Sequence, residues 1–226
     1  MSQPLSAPPR RNLLREAFAG LDMIDAPLAF VEPRSKETRN AAVVVLPGFG
    51  ANDLSTAPLR AYLARAGFET RGWGLGFNLG GRGLIEKLDQ LSDKWDIDAS
   101  RVHNGEGEVP ALIDKVAGWL RAGGAGPDKE MGRATKLHLV GWSLGGYIAR
   151  EVARDLPDLV ASVVTMGSPV QGGPKYTTIA HYFRARNFDL DWIDEETRRR
   201  FDRPITQPVT AIYSKADGIV GWRAAV

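Results

Sequence analysis

The chain has 226 residues, 43% apolar and 25% charged, with a formal net charge of +2. That profile fits one globular domain with a large core, and the scattered basic residues argue against a nucleic-acid partner. There is no cysteine, which excludes disulfides, thiol nucleophiles and cysteine-ligated metals. The N-terminus carries no long apolar run, so no secretory signal or membrane span is expected, and the protein is expected to be soluble and cytoplasmic.

Residues 1–40 read as an N-terminal arm ahead of one domain at 41–226. Met1 to Arg11 is rich in Pro, Ser and Gln and is expected to be disordered. Leu14, Ala17, Phe18 and Leu21 recur at helical spacing and predict a short amphipathic helix that packs on its own domain. Pro33 to Asn40 reads as a loop. Ala41 to Leu46 is a β-branched apolar run, as a parallel strand buried on both faces requires, and Pro47-Gly48-Phe49-Gly50 follows it.

Ser55 or Thr56 is placed to cap a helix with Pro58 in its first turn, Leu59, Tyr62, Leu63 and Ala66 on its apolar face, and Gly67 as its stop. Phe68 to Arg71 predicts the next strand. The glycine-rich stretch from Gly72 to Gly81 does not have the spacing of a dinucleotide loop or a P-loop. It is expected to be an aromatic loop beside the site, with Trp73 and Phe77 in the substrate pocket. Leu84 to Trp95 and Val109 to Leu120 predict helices, and Gly123 to Arg133 a polar turn.

Leu137 to Val140 then predicts a strand, Gly141-Trp142-Ser143-Leu144-Gly145-Gly146 a sharp turn, and Tyr147, Ile148, Val152 and Leu156 a helix. Gly141-x-Ser143-x-Gly145 between a strand and a helix is the nucleophile-elbow pattern. Its small flanking residues let strand and helix pass closely while the serine hydroxyl stands at a helix N-terminus. Leu159 to Thr165 predicts a strand, ended by Met166-Gly167-Ser168-Pro169. Gln171 to Gln207 mixes aromatic and charged residues and interrupts the alternation; a small helical cap over the site is expected there. Within it, Arg198-Arg199-Arg200 ends a helix whose acidic start, Asp194-Glu195-Glu196, suits the helix dipole. Val209 to Tyr213 predicts another strand, followed by Ser214-Lys215-Ala216-Asp217-Gly218. The alternation of strands and helices predicts an α/β fold, a mostly parallel sheet with helices on both faces.

From about Ala41 to Trp222 the chain resembles the α/β-hydrolase superfamily, in its serine esterase and lipase-like branch. The resemblance implies that Ser143 is the catalytic nucleophile of an acyl-enzyme mechanism on a carboxylic ester. It also implies that the N–H groups of Phe49 and Leu144 form the oxyanion hole. Pro47 stands where that family often has a histidine. The family order of serine, acid, histidine points to Asp217 as the acid. No histidine follows Asp217. His138 lies inside a strand that commits its side chain to the sheet, while His103 in an Asn-Gly loop and His181 in the cap are minor alternatives for the base; no two of the three have the spacing of a zinc site. The expectation is therefore an incomplete hydrolase domain, lacking a C-terminal strand, helix and catalytic histidine, and inactive as it stands. Acyl transfer on the same fold and a non-catalytic binding module are the alternatives. No cofactor or metal is implied, and the expected partner is a small apolar acyl substrate, with Trp73, Phe77 and Trp142 near it.

Overall fold

The computed structural model describes residues 4–9, 11–12, 41–123 and 136–226. The helix predicted around Leu14 to Leu21, the loop at 33–40 and nearly all of the polar turn after Gly123 lie outside the described residues. Among the described residues, five strands form one sheet: β1 (Ala42–Leu46), β2 (Glu69–Gly72), β3 (Leu137–Trp142), β4 (Val160–Met166) and β5 (Val209–Ile212). Their order is β2-β1-β3-β4-β5, and every pairing is parallel. All C-terminal strand ends therefore emerge along one rim, where ligands bind in open α/β sheets.

The apolar run of β1 is fully buried because helices cover both of its faces. Val44 and Leu46 point into the larger core with α3 (Glu108–Arg121) and α4 (Leu144–Asp155), through Ile113, Val116, Ile148 and Val152. Val43 and Val45 point the other way, onto Leu59 and Leu63 of α1 (Ala57–Arg65). α1 starts with Pro58 in its first turn as expected, although no side chain caps it. α2 (Ala99–His103), capped by Asp98 on the Arg101 N–H, ends at His103, which the sequence places in an Asn-Gly loop.

The helix predicted over Leu84 to Trp95 is not there; only Leu88–Gln90 makes a 3-10 turn. Side chains satisfy this backbone in place of a helical ladder. The Gln90 Oε1 accepts the Glu86 and Lys87 N–H groups at 2.6 and 3.0 Å, and Asp114 takes the Ser92 N–H at 3.2 Å. Of the residues whose spacing looks helical, Ile85 still reaches the core, and Leu84 and Leu91 pack against it. Pro4 to Pro9, expected to be disordered, lies against the far end of the chain. The Ser6 carbonyl packs on Gly221, leaving no room for a side chain there, and the Asn12 Nδ2 donates to the Asp217 carbonyl at 3.2 Å. A segment with three prolines needs few hydrogen-bond partners to lie in such a groove.

Candidate active site

The turn between β3 and α4 carries the most constrained backbone in the sheet. Ser143 has φ 52° and ψ −124°, one of two non-glycine residues with positive φ among those described. Such a conformation costs of order 1–3 kcal/mol and persists only where the surroundings impose it. Here the Ser143 N–H donates to the Met166 carbonyl at 2.9 Å, and the Ser143 carbonyl accepts the Gly146 N–H at 3.0 Å. A side chain on Gly145 would come within 2.3 Å of the Leu46 carbonyl oxygen, and one on Gly141 within 2.3 Å of the Gly145 carbonyl. The glycines flanking Ser143 are thus required by the close passage of β1, β3 and α4.

The loop after β1 lies against this turn, with Gly48 positioned so that a Cβ there would sit 3.1 Å from the Ser143 Cβ. Among the described residues, neither the Phe49 nor the Leu144 N–H has a protein acceptor. The loop is held by Asn78, a residue that sequence reasoning passed over. Asn78 has 0% exposure. Its backbone exchanges hydrogen bonds with Gly50 and Ala51, both at 2.7 Å. Its Nδ2 donates to the Pro47 carbonyl at 2.8 Å, and its Oδ1 accepts the Gly80 N–H at 3.1 Å. A lone amide between Phe77 and Leu79 in a glycine-rich loop was the available signal.

Ser143, Phe49 and Leu144 line one cavity of about 300 Å³. Its floor comes from Ile113 of α3 and Tyr147 of α4, and its roof from the segment predicted as a cap. That segment folds as a 3-10 turn (Gly173–Tyr176), α5 (Ala180–Arg184) and α6 (Leu190–Arg200). An aromatic chain joins roof to loop: Phe49 to Phe183 at 5.8 Å, Phe183 to Phe188 at 5.6 Å and Tyr182 to Phe183 at 5.3 Å. The roof is also pinned to α4, because the buried Arg200 Nε donates to the Glu151 Oε2 at 2.6 Å. Burial pushes the Tyr147 hydroxyl and the Glu196 carboxyl up from their usual ranges, favouring the protonated form of each.

The three residues expected around the substrate do not line this cavity. Trp73 is 1% exposed, in the main core, where its indole N–H donates to the Gly76 carbonyl at 2.9 Å. Phe77 is 63% exposed, and Trp142, 42% exposed, packs beside Gly48. The sequence places all three near strand ends, but position along the chain does not specify on which side of the rim a ring falls. Leu79, Gly80 and Arg82 from the same glycine-rich loop line the cavity in their place.

Asp217 stands at the C-terminal end of β5, two strands from β3. Its Oδ1 accepts the Ile219 and Val220 N–H groups, both at 2.8 Å. Its Oδ2 faces Gly167 at the end of β4, 3.1 Å from where a Cβ would stand. It borders a second cavity with Ser6, Pro8, Pro9 and Trp222, while Ile219 and Val220, just after it, border the Ser143 cavity. The His138 Nδ1 is 2.8 Å from the Ser162 hydroxyl, and the His181 Nδ1 is 2.9 Å from the Thr178 carbonyl; neither ring lines the Ser143 cavity.

Residues 129–199, from ahead of β3 through most of α6, match the family model of the alpha/beta hydrolase fold. Over that segment, about a third of the chain, the protein is similar to the alpha/beta hydrolase fold family. The match includes Ser143 and most of the cap but neither Phe49 nor Asp217. Among solved structures, a metagenome-derived lipolytic enzyme is 16% identical over 59% of this chain, which spans only 44% of that one (TM-score 0.37). A monoacylglycerol lipase of Paleococcus ferrophilus is 16% identical over 83% of this chain and 80% of its own (TM-score 0.47). The mouse alpha/beta hydrolase domain-containing protein 10 is 14% identical over 80% and 72% (TM-score 0.45). No helix among the described residues is long and apolar enough to cross a membrane.

Proposed function

We propose that this protein is a serine hydrolase of the α/β-hydrolase fold that cleaves carboxylic esters through an acyl-enzyme. The observation that carries the reading is the strained Ser143 at the floor of an aromatic-roofed cavity, beside two N–H groups without protein acceptors. In this reading the Ser143 Oγ attacks the ester carbonyl carbon. The carbonyl oxygen becomes an oxyanion that takes hydrogen bonds from the Phe49 and Leu144 N–H groups, and the alcohol leaves with a proton. Water then attacks the acyl-serine, releasing the acid and restoring the hydroxyl. The donors belong to backbone that is already fixed by Asn78 and by the β3–α4 turn, so little reorganisation is needed when charge develops.

Asp217 is proposed as the acid that orients the base, on the strength of its place at the end of β5. Neither His138 nor His181 is assigned as that base, since their rings have other partners away from the cavity. The apolar roof, with Phe49, Phe183, Phe188 and Trp192, supports an acyl or alcohol group of apolar character. A fluorophosphonate probe on the full-length protein tests the reading. Covalent labelling that maps to Ser143 and disappears in Ser143→Ala is expected. Absence of labelling at Ser143 in the folded protein would remove the nucleophile and with it the proposal.

A further inference from the structure

Five charged side chains line the Ser143 cavity: Arg82, Arg186, Glu106, Glu108 and Glu196. The carboxylates have partners of their own. Glu106 pairs with Arg101 at 3.2 Å and accepts the Asp189 N–H at 2.8 Å. Glu196 lies 3.4 Å from Arg199, and Glu108 accepts the Gly83 N–H at 3.3 Å. The two arginines are different. They come from segments about a hundred positions apart, both exposed at the rim, and they converge on one phenol. The Arg186 Nη1 donates to the Tyr182 hydroxyl at 2.7 Å and the Arg82 Nη2 at 3.2 Å. Neither has a carboxylate within ion-pair distance among the described residues.

Two guanidiniums sharing one neutral oxygen leave most of their donors unused and repel one another. The hydrogen bond from Arg186 and then that from Arg82 hold the Tyr182 phenol below the usual tyrosine range, a sign of the positive potential at this point. An anion arriving here would relieve the repulsion and fill the free donor positions, and a planar carboxylate matches the guanidinium fork. Glu106 and Glu108 in the same wall disfavour a dianion such as phosphate.

We propose that Arg82 and Arg186 form a subsite at the rim of the cavity for a carboxylate, so that the preferred substrates are esters carrying a free carboxylate away from the scissile bond. This deepens the ester-hydrolase reading and rests on it for the catalytic part, while the binding part can be tested without catalysis. The first measurement uses Ser143→Ala protein and two anilides that a serine-to-alanine site leaves intact: N-(4-nitrophenyl)glutaramic acid and its methyl ester. In calorimetry the free acid should bind about five- to tenfold more tightly than the methyl ester, a modest factor because the arginines are solvent-exposed. The advantage should shrink as salt is raised to about 0.5 M, and it should vanish when Arg82→Gln and Arg186→Gln are added.

The second measurement takes the ratio of kcat/KM for mono(4-nitrophenyl) glutarate to that for its methyl ester, in the full-length protein with Ser143 intact and in its Arg82→Gln/Arg186→Gln variant. A ratio is insensitive to the fraction of protein folded. It should fall by a factor similar to the binding advantage. Equal binding of acid and methyl ester by the Ser143→Ala protein, or an advantage unchanged in the arginine variant, overturns the subsite. A binding advantage that depends on both arginines, with no ester turnover, supports the subsite and rejects the ester-hydrolase reading.

Discussion

Asn78→Ala is the substitution that best separates the loop geometry from the rest of the fold. It leaves the backbone bonds to Gly50 and Ala51 in place and removes only the side-chain donor to Pro47 and acceptor from Gly80. Pro47 and Gly80 are both buried, so each loses its partner where water does not replace it. An orphaned buried group costs about 1–3 kcal/mol. With the small void left by the amide, the loss should be about 3–5 kcal/mol, a large share of the ~5–15 kcal/mol that holds a domain together. Urea unfolding followed by tryptophan fluorescence measures it.

The same change should slow fluorophosphonate labelling of Ser143 by about tenfold or more in folded protein, because it displaces the Phe49 N–H proposed to hold the oxyanion. Asn78→Asp adds a directional check. It keeps the oxygen facing Gly80 but turns the second oxygen, in place of a donor, onto the Pro47 carbonyl. A buried carboxyl so placed is held protonated, with its folded pKa raised above the unfolded value. Its contribution is therefore fully present below the unfolded carboxyl pKa and lost as pH rises through the folded one. Asn78→Asp should thus lose stability relative to the parent as pH rises above the ordinary carboxyl range. Stability of Asn78→Ala within ~0.5 kcal/mol of the parent, with an unchanged labelling rate, would refute the positioning argument.

Other residues give separate tests. Arg200→Met leaves Glu151 with Arg154 alone, at 3.2 Å, and should destabilise by about 3 kcal/mol in chemical denaturation; adding Glu151→Gln should then cost less than the two single changes added together. His138 has its pKa lowered by burial, so the imidazole favours the neutral form in the fold. Its contribution to stability is then present above the usual value of about 6.5 and lost as pH falls through the folded pKa, a dependence that urea midpoints should lose in His138→Gln. Gly145→Ala should leave little folded protein by circular dichroism, since its Cβ would fall 2.3 Å from the Leu46 carbonyl oxygen, a backbone atom that cannot rotate away.

Several features were legible in the sequence because one strong physical constraint acted on a few adjacent residues. β1 had to be apolar along its whole length, since helices cover both faces, and Ala42–Leu46 reads that way. The turn at Ser143 had to be flanked by glycines, since a Cβ at Gly141, Gly145 or Gly146 meets backbone or the Ser168 hydroxyl. The parallel sheet followed from the alternation, and the aromatic and charged stretch after β4 does form the roof of the cavity. What remained hidden depended on contacts between distant segments. Leu84 to Trp95 has helical spacing, but Gln90 and Asp114 satisfy its backbone another way. Trp73, Phe77 and Trp142 were assigned to the substrate pocket from aromatic content near strand ends, and only the folded rim shows that none of them faces the cavity.

The cap shows why composition alone gives a location without a mechanical role. Its mixture of rings and charges suggests a small helical cap over the site. In the fold the charges are the fastening. Asp194 is fully buried and accepts from Lys175 and Arg198, both at 2.6 Å, and from the Tyr176 hydroxyl at 2.9 Å. Arg200, meanwhile, reaches across to Glu151 of the helix that begins at Leu144. Weakening a buried ion pair costs several kcal/mol, so deleting the cap would leave the buried Glu151 with Arg154 alone and open the main core at Trp192. The same contacts tie the roof of the cavity to the helix whose first N–H is proposed to hold the oxyanion. A change in the cap should therefore reach Ser143 through α4 as well as through the substrate, and Arg200→Met should slow labelling of Ser143 even by a probe too small to touch the roof.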